Sequence, residues 1–276
     1  MIKRKIVKAL IEKYTKFVFM AITIALANQK GGVGKTTTAV NLAAYLAHTG
    51  KRVLLIDFDP QANASAGLGV VLQPDEKHVY HALIEPSRSL DSIKPTSTER
   101  LWVMPAHADL AGANVELVNA ESREYRLKQA LNGLSDSYEM ILIDCPPSLG
   151  ILTINALVAA DHVLIPLQAE YYSLEGLGQL MNIINLVQQG LNPSLQVLGA
   201  FVTMYDGRNR LAGAVVEELK SHFPNKLFAT MIPRNVKLAE APSFGKPISL
   251  YDARSRGAEA YQALAREFLS LFETNN

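Results

Sequence analysis

Lys30-Gly31-Gly32-Val33-Gly34-Lys35-Thr36-Thr37 nearly fits the pattern G-x-x-x-x-G-K-[ST], with Gln29 where the first glycine would stand. The apolar run Ile22 to Ala27 precedes it and reads as a buried strand. Thr36 to Ala47 follows and reads as a helix. Strand, glycine-rich turn and helix together form the context of a phosphate-gripping loop. Gly31, Gly32 and Gly34 let the backbone curl so that its N–H groups aim at phosphate oxygens. The helix N-terminus adds a favourable dipole. Lys35 is expected to reach the β- and γ-phosphates, and the Thr36 hydroxyl to hold Mg²⁺.

Two further apolar runs end in acids. Val53-Leu54-Leu55-Ile56-Asp57 leads into Phe58-Asp59-Pro60-Gln61-Ala62-Asn63, and Met140-Ile141-Leu142-Ile143-Asp144 leads into Cys145-Pro146-Pro147-Ser148. Ligands of open parallel sheets sit at the carboxyl ends of strands, which puts Asp57, Asp59 and Asp144 beside the loop. An apolar run ending in Asp is the Walker B pattern, so Asp144 is expected to hold Mg²⁺ through water. Leu101 to Pro105, Val163 to Leu167 and Leu195 to Thr203 add strands. Val79 to Ile84 and Ser173 to Gln189 add helices, the latter ended by Gly190. Such alternation predicts an α/β fold: a doubly wound, mostly parallel sheet with helices on both faces. Leu110 to Leu134 reads as largely helical and offers a partner-docking surface. Trp102, His78 and His81 read as packing or surface residues.

The chain has 276 residues, enough for one large α/β domain with a sizeable core. Its net charge is only +1, so any nucleic-acid surface must be local. The single cysteine, Cys145, excludes an intramolecular disulfide framework and fits a reducing cytosol. It also argues against iron–sulfur relatives with the same loop, which need paired cysteines. Cys145 reads as a small packing residue rather than a nucleophile.

Residues 1–19 form a basic extension carrying Lys3, Arg4, Lys5, Lys8, Lys13 and Lys16 among apolar residues, ahead of a single phosphate-loop domain over residues 20–276. The extension mimics a secretory signal, but cleavage near Ala27 would delete the strand that feeds the loop. An over-extended start and a basic amphipathic helix touching membrane or DNA are the two readings of it.

With these motifs quoted, the sequence resembles the ParA/Soj group of partition ATPases, within the MinD-like proteins of deviant Walker A type. The resemblance runs from about Ala21 to Phe272. The deviant loop K-G-G-x-G-K-[ST] carries a second lysine where Lys30 stands. The resemblance implies that Lys30 crosses an ATP-bound homodimer to the other subunit's nucleotide. It implies that Asp59 positions or activates the attacking water, while Asp57 supports Mg²⁺ and its waters. Ile232-Pro233-Arg234-Asn235 resembles the adenine-side loop, so Pro233, Arg234 and Asn235 join the nucleotide site. An Asn-Lys-x-Asp guanine motif is missing: Asn225-Lys226-Leu227-Phe228 lacks the acid. ATP is therefore preferred to GTP.

Basic residues outnumber acids between Arg208 and Arg256. Met204 to Arg208, Ile232 to Ser243 and Tyr251 to Glu259 are similar to chromosomal ParA proteins. By that resemblance Arg208 and Lys237 bind double-stranded DNA without sequence preference, with Arg234, Arg254 and Arg256 as weaker candidates. Lysine at 237 keeps a phosphate-binding charge but loses the arginine fork. The function implied is an ATPase, weak alone and stimulated by DNA and a ParB-like centromere-binding partner. It would act in the cytoplasm on the nucleoid to partition a chromosome or plasmid. One alternative is a MinD-like membrane regulator, but Arg266 against Glu267 and Glu273 makes the C-terminal end a poor match for anionic lipid. The other alternative is a metabolic ligase using the same loop.

Overall fold

A computed structural model describes residues 21–134, 136–170 and 173–273. The expected extension over 1–19 lies outside the described residues. The Val-, Ile- and Leu-rich runs become strands buried on both faces, as parallel strands must be. In chain order they are β1 (Ile22–Leu26), β2 (Val53–Asp57), β3 (Lys94–Pro95), β4 (Leu101–Met104), β5 (Met140–Asp144), β6 (His162–Gln168) and β7 (Gln196–Thr203). They form one sheet in the order β3-β4-β2-β5-β1-β6-β7, parallel except for β3, which pairs antiparallel with β4 at the edge. The doubly wound sheet expected from sequence is therefore present.

The helices are α1 (Lys35–His48), α2 (Asn63–Gly67), α3 (Val79–Ile84), α4 (Ala113–Glu116), α5 (Arg126–Leu131) and α6 (Ile151–Ala159). They continue as α7 (Ser173–Gly190), α8 (Arg210–His222), α9 (Val236–Glu240), α10 (Ile248–Tyr251) and α11 (Arg256–Glu273). Alternation along each strand sorts the core into two layers. Ile24, Leu26, Val53 and Leu55 pack with Leu42 and Leu46 of α1 and Leu264 and Phe268 of α11. Ala25, Leu54, Ile56 and Ile143 face the other way, onto Leu83, Leu127, Leu157, Leu180 and Val216. Tyr261 of α11 is buried and its hydroxyl pairs with Thr38 Oγ1 of α1 at 3.0 Å, fixing that helix pair.

Registration matters most for function. Leu26 pairs with Asp144, and Asp57 pairs with Asp144, so β1, β2 and β5 finish side by side. The loop after β1 and the acids ending β2 and β5 thus share one sheet edge.

The stretch 110–134 is largely helical, as expected, but in short pieces rather than one run. It breaks into 3-10 turns at Ala108–Gly112, Leu117–Asn119 and Arg123–Tyr125, with α4 and α5 between and after them. Ala120 is extended, and Ser122 is left-handed with φ 53°. The cause is partly tertiary. Asn155 of α6 accepts from Leu127 N–H at 3.1 Å and donates to Arg123 C=O at 2.9 Å. Those two groups would bond to each other in an uninterrupted helix; the buried amide stands between them. Replacing Asn155 with leucine should therefore leave both groups unpaired. We expect a loss of about 1–3 kcal/mol in urea unfolding, and an unchanged midpoint would refute the bridging role.

Candidate active site at the phosphate loop

Backbone conformation makes the loop. Gly32 and Gly34 have φ of 73° and 85°, the left-handed region that side chains with a Cβ rarely enter. Gly34 also caps α1, so the first free N–H groups of that helix open into the loop. Strands beyond β1 hold the loop from behind. Thr203 Oγ1 at the end of β7 donates to Val33 C=O at 2.8 Å, and Gln168 Nε2 at the end of β6 donates to Gly32 C=O at 3.0 Å. Asn28 braces its start, donating to Pro166 C=O and accepting from Lys30 N–H. Sequence reading did not single out Asn28, Gln168 or Thr203. Each ends a strand or follows one, and only the pairing of β1 with β6 and β6 with β7 reveals what they touch.

Lys35 is 6% exposed and its ammonium donates to Lys30 C=O at 3.2 Å. Burial lowers its pKa, with the charge of Asp144 opposing that shift. Lys30 points elsewhere. Its ammonium lies 2.6 Å from Glu170 on a partly exposed surface, so the two loop lysines do not converge within this chain.

Three carboxylates face the loop. Asp57 and Asp144 are fully buried and Asp59 nearly so. Asp57 is held on three sides: Ser65 N–H and Oγ donate to its Oδ2 at 2.7 and 2.6 Å, and Asp59 N–H donates to Oδ1 at 3.3 Å. Burial raises its pKa to about 6, with Ser65 opposing and the charge of Asp59 adding. Asp144 differs: neither carboxylate oxygen has a well-formed hydrogen bond. Burial first and Asp57 second push its pKa well up, while the nearby Thr36 hydroxyl and Lys35 charge oppose that shift. Two orphaned, buried oxygens beside a second buried acid fit a hard divalent cation, whose charge and water shell would satisfy them. Thr36, Asp57 and Asp144 are the residues that would hold Mg²⁺. Asp59 Oδ1 accepts from Gln61 N–H at 3.0 Å, and that bond fixes the carboxylate at the rim.

Next to the loop lies a cavity of about 180 Å³ lined by Gly34, Thr37, Met204, Pro233, Arg234, Asn235 and Tyr261 among others. The adenine-side residues expected from sequence thus border the phosphate loop. The wall is secured by backbone bonds: Tyr205 N–H donates to Ile232 C=O, and Arg234 N–H to Tyr205 C=O. Asn235 caps α9, its Oδ1 accepting from Lys237 N–H at 2.8 Å. Cys145 is buried, and burial together with Asp144 raises its thiol pKa strongly, so it stays a neutral packing group.

The basic residues lie on elements that are tied together. The turn carrying Arg208 follows Tyr205, which bridges to Pro233; Tyr251 Oη donates to Glu240 of α9 and brings the segment with Arg254 and Arg256 alongside. Arg208, Arg234, Arg254 and Arg256 are all exposed. Two candidates already have acid partners, which the sequence did not reveal. Arg208 forms a two-pronged pair with Asp206 at 2.9 and 2.7 Å, holding that carboxyl down at about 2. Lys237 lies 2.7 Å from Glu240 and 5.8 Å above the Tyr251 ring.

A family model described as an AAA domain matches residues 21–197. The chain is 57% identical over 248 residues to the sporulation initiation inhibitor protein Soj of Bacillus subtilis (strain 168), covering 90% of this chain and 98% of that one. It is 54% identical over 246 residues to the chromosome partitioning protein ParA of Myxococcus xanthus, covering 89% and 87%. Among solved structures, cobyrinic acid a,c-diamide synthase from Mycobacterium smegmatis with bound ATP analog and magnesium superposes with a TM-score of 0.83 at 36% identity, covering 93% and 97%.

The crowded acids yield two expectations. Asp144→Asn should raise the Tm of the nucleotide-free protein, because it removes a buried charge that repels Asp57, yet it should weaken Mg²⁺-dependent nucleotide binding. A lowered Tm would contradict the electrostatic reading. Asp57, with a folded pKa of about 6 against a usual 3.8, binds its proton more tightly in the folded chain. Its contribution is therefore full below about pH 4 and is lost as pH rises through 6. Subtracting the stability profile of Asp57→Asn from that of wild type, both without nucleotide, should expose this fall.

Proposed function

The chain belongs to the ParA/Soj family of chromosome-partitioning ATPases, and from that premise we propose that it is an ATP-gated DNA clamp whose hydrolysis drives partition. The observation that carries the reading is one short loop with two duties. Residues 233–235 line the cavity beside the phosphate loop, and Lys237 follows two residues later on the basic strip. Whatever nucleotide does to that loop is transmitted to the DNA-facing side.

ATP hydrolysis assigns each residue a part. Backbone N–H groups over 31–36 and the Lys35 ammonium bind the phosphate oxygens and neutralise charge that moves outward during transfer. Asp59, fixed at the rim, orients the attacking water and takes its proton. Bound Mg²⁺ supplies charge compensation to the phosphates; Thr36, Asp57 and Asp144 are the groups that would hold it. Lys30 contributes across a dimer. Its pair with Glu170 is partly exposed, an interaction worth about 0–1 kcal/mol, so it exchanges readily for a partner's phosphate.

DNA affinity rises steeply with the number of phosphates contacted. One protomer offers a short strip, part of whose charge is spent on Asp206 and Glu240. Two strips aligned by an ATP-bound homodimer double the count and hold duplex DNA without reading its sequence. A ParB-like centromere-binding partner that accelerates hydrolysis would loosen the dimer and release DNA at the cargo. Among the described residues no helix is long and apolar enough to cross a membrane. The exposed basic strip suits a polyanion such as nucleic acid and has no part to play in a small-molecule ligase.

Retention on random-sequence duplex DNA, with ATP, ADP or no nucleotide, tests this directly. Wild type should bind with ATP alone, and Asp59→Ala should bind as well or better because the clamp cannot reset. Arg208→Ala should lose most retention and lower the salt dependence by about one phosphate contact per protomer. Equal retention in all nucleotide states would refute the gating.

A further inference from the structure

Away from the nucleotide site, a cluster of imidazoles has no part in ATP chemistry. His78, His107 and Asp109 each offer one ligand atom, and those atoms all lie within 4.8 Å of one another. His78 is the N-cap residue just ahead of α3, and the other two follow β4. Asp109 Oδ2 lies 3.8 Å from His78 Nε2 and 3.1 Å from His107 Nδ1. A third imidazole, His81, stands edge-on to His78 at 4.3 Å, and its Nδ1 accepts from His78 N–H. The group borders an open cavity of about 660 Å³, walled on its other side by residues 72–77.

We propose that His78, His107 and Asp109 form a binding site for a zinc-class divalent metal ion, separate from the Mg²⁺-nucleotide site. The second observation pointing there is the state of His78. It is 4% exposed, its Nδ1 has no hydrogen-bond partner, and its Nε2 stands beyond hydrogen-bond reach of Asp109. A metal ion on Nε2 would supply the partner that Asp109 stands too far away to be. Two imidazoles and one carboxylate suit Zn²⁺, Co²⁺ or Ni²⁺, and they leave open positions for water; Mg²⁺ prefers oxygen alone. Zinc bonds of roughly 2.0–2.2 Å need the donors drawn slightly closer. The buried His78 supplies the fixed point. His107 Nδ1 accepts from Asp109 N–H at 3.3 Å, a bond the metal would replace, and His107 and Asp109, with side chains 50% and 61% exposed, have room to turn.

Metal at this site would tie α3 to the loop after β4. That loop already reaches the nucleotide acids. Ala106 N–H, next to His107, donates to Ser65 Oγ at 3.1 Å, and Ser65 Oγ donates to Asp57 at 2.6 Å. The cluster is thus two hydrogen bonds from the acid that ends β2.

Untagged full-length protein, stripped with chelator, should be titrated with ZnCl₂ by calorimetry and with CoCl₂ by visible absorption. Wild type should bind one equivalent and gain Tm, and Co²⁺ should give a ligand-field band of low coordination number. His107→Ala and Asp109→Asn change exposed side chains and should fold normally. Each should weaken binding by at least about tenfold and abolish the Tm gain. Asp144→Asn controls for metal taken by the nucleotide acids and should leave the equivalent intact. No saturable binding, binding undiminished in both cluster variants, or binding lost only in Asp144→Asn would each overturn the proposal.

Discussion

Two carboxylates that repel each other are forced together by strand register. Asp57 and Asp144 are direct partners on neighbouring parallel strands, and both are fully buried. Nothing in an apolar core favours that pair. It persists because the site around it is built for positive charge: Lys35 from α1, the free N–H groups of a helix N-terminus, and room for a cation. Asp57 is quieted by Ser65, whereas Asp144 is left without a well-formed hydrogen bond. The two buried oxygens of Asp144 are groups that a cation and its water shell would satisfy.

The opposite requirement falls on the loop, which must expose its donors yet hold its shape. Gly32 and Gly34 give the curvature, but glycine alone gives no rigidity. Rigidity comes from Gln168 and Thr203, reaching across from β6 and β7 to carbonyls on the back of the loop. Turning carbonyls backward leaves N–H groups facing forward. The far half of the sheet thus preorganises a site to which it contributes no chemistry of its own.

Coupling to the surface follows from the same edge. The chain leaves β7 through Met204 and Tyr205, bridges to Pro233, and continues into α9 and Lys237. Residues 233–235 line the cavity beside the phosphate loop, and Lys237 follows on the basic strip. The salt links of Arg208 to Asp206 and Lys237 to Glu240 hold the strip's charges in place and moderate their pull on phosphate. In the clamp we propose, such pairing favours a grip that depends on doubling rather than on a single strong patch.

The sequence alone determined much of this, because the signals are local. The strand–loop–helix register from Ile22 to Ala47, the acids ending two apolar runs and the glycine positions all lie within short windows, where periodicity and backbone sterics act. The family also follows from contiguous motifs. Tertiary structure decided what depends on distant pairs. The amide of Asn155, 28 residues beyond Leu127, divides the largely helical stretch 110–134 into short pieces. Gln168 finds Gly32 across 136 residues, and Thr203 finds Val33 across 170. His78 and His81 read singly as packing or surface residues and sequence reading does not single out His107 and Asp109, yet the fold brings α3 and the loop after β4 together. Side chains that act through a partner far along the chain leave no period or spacing to read; the fold supplies the second half of each interaction.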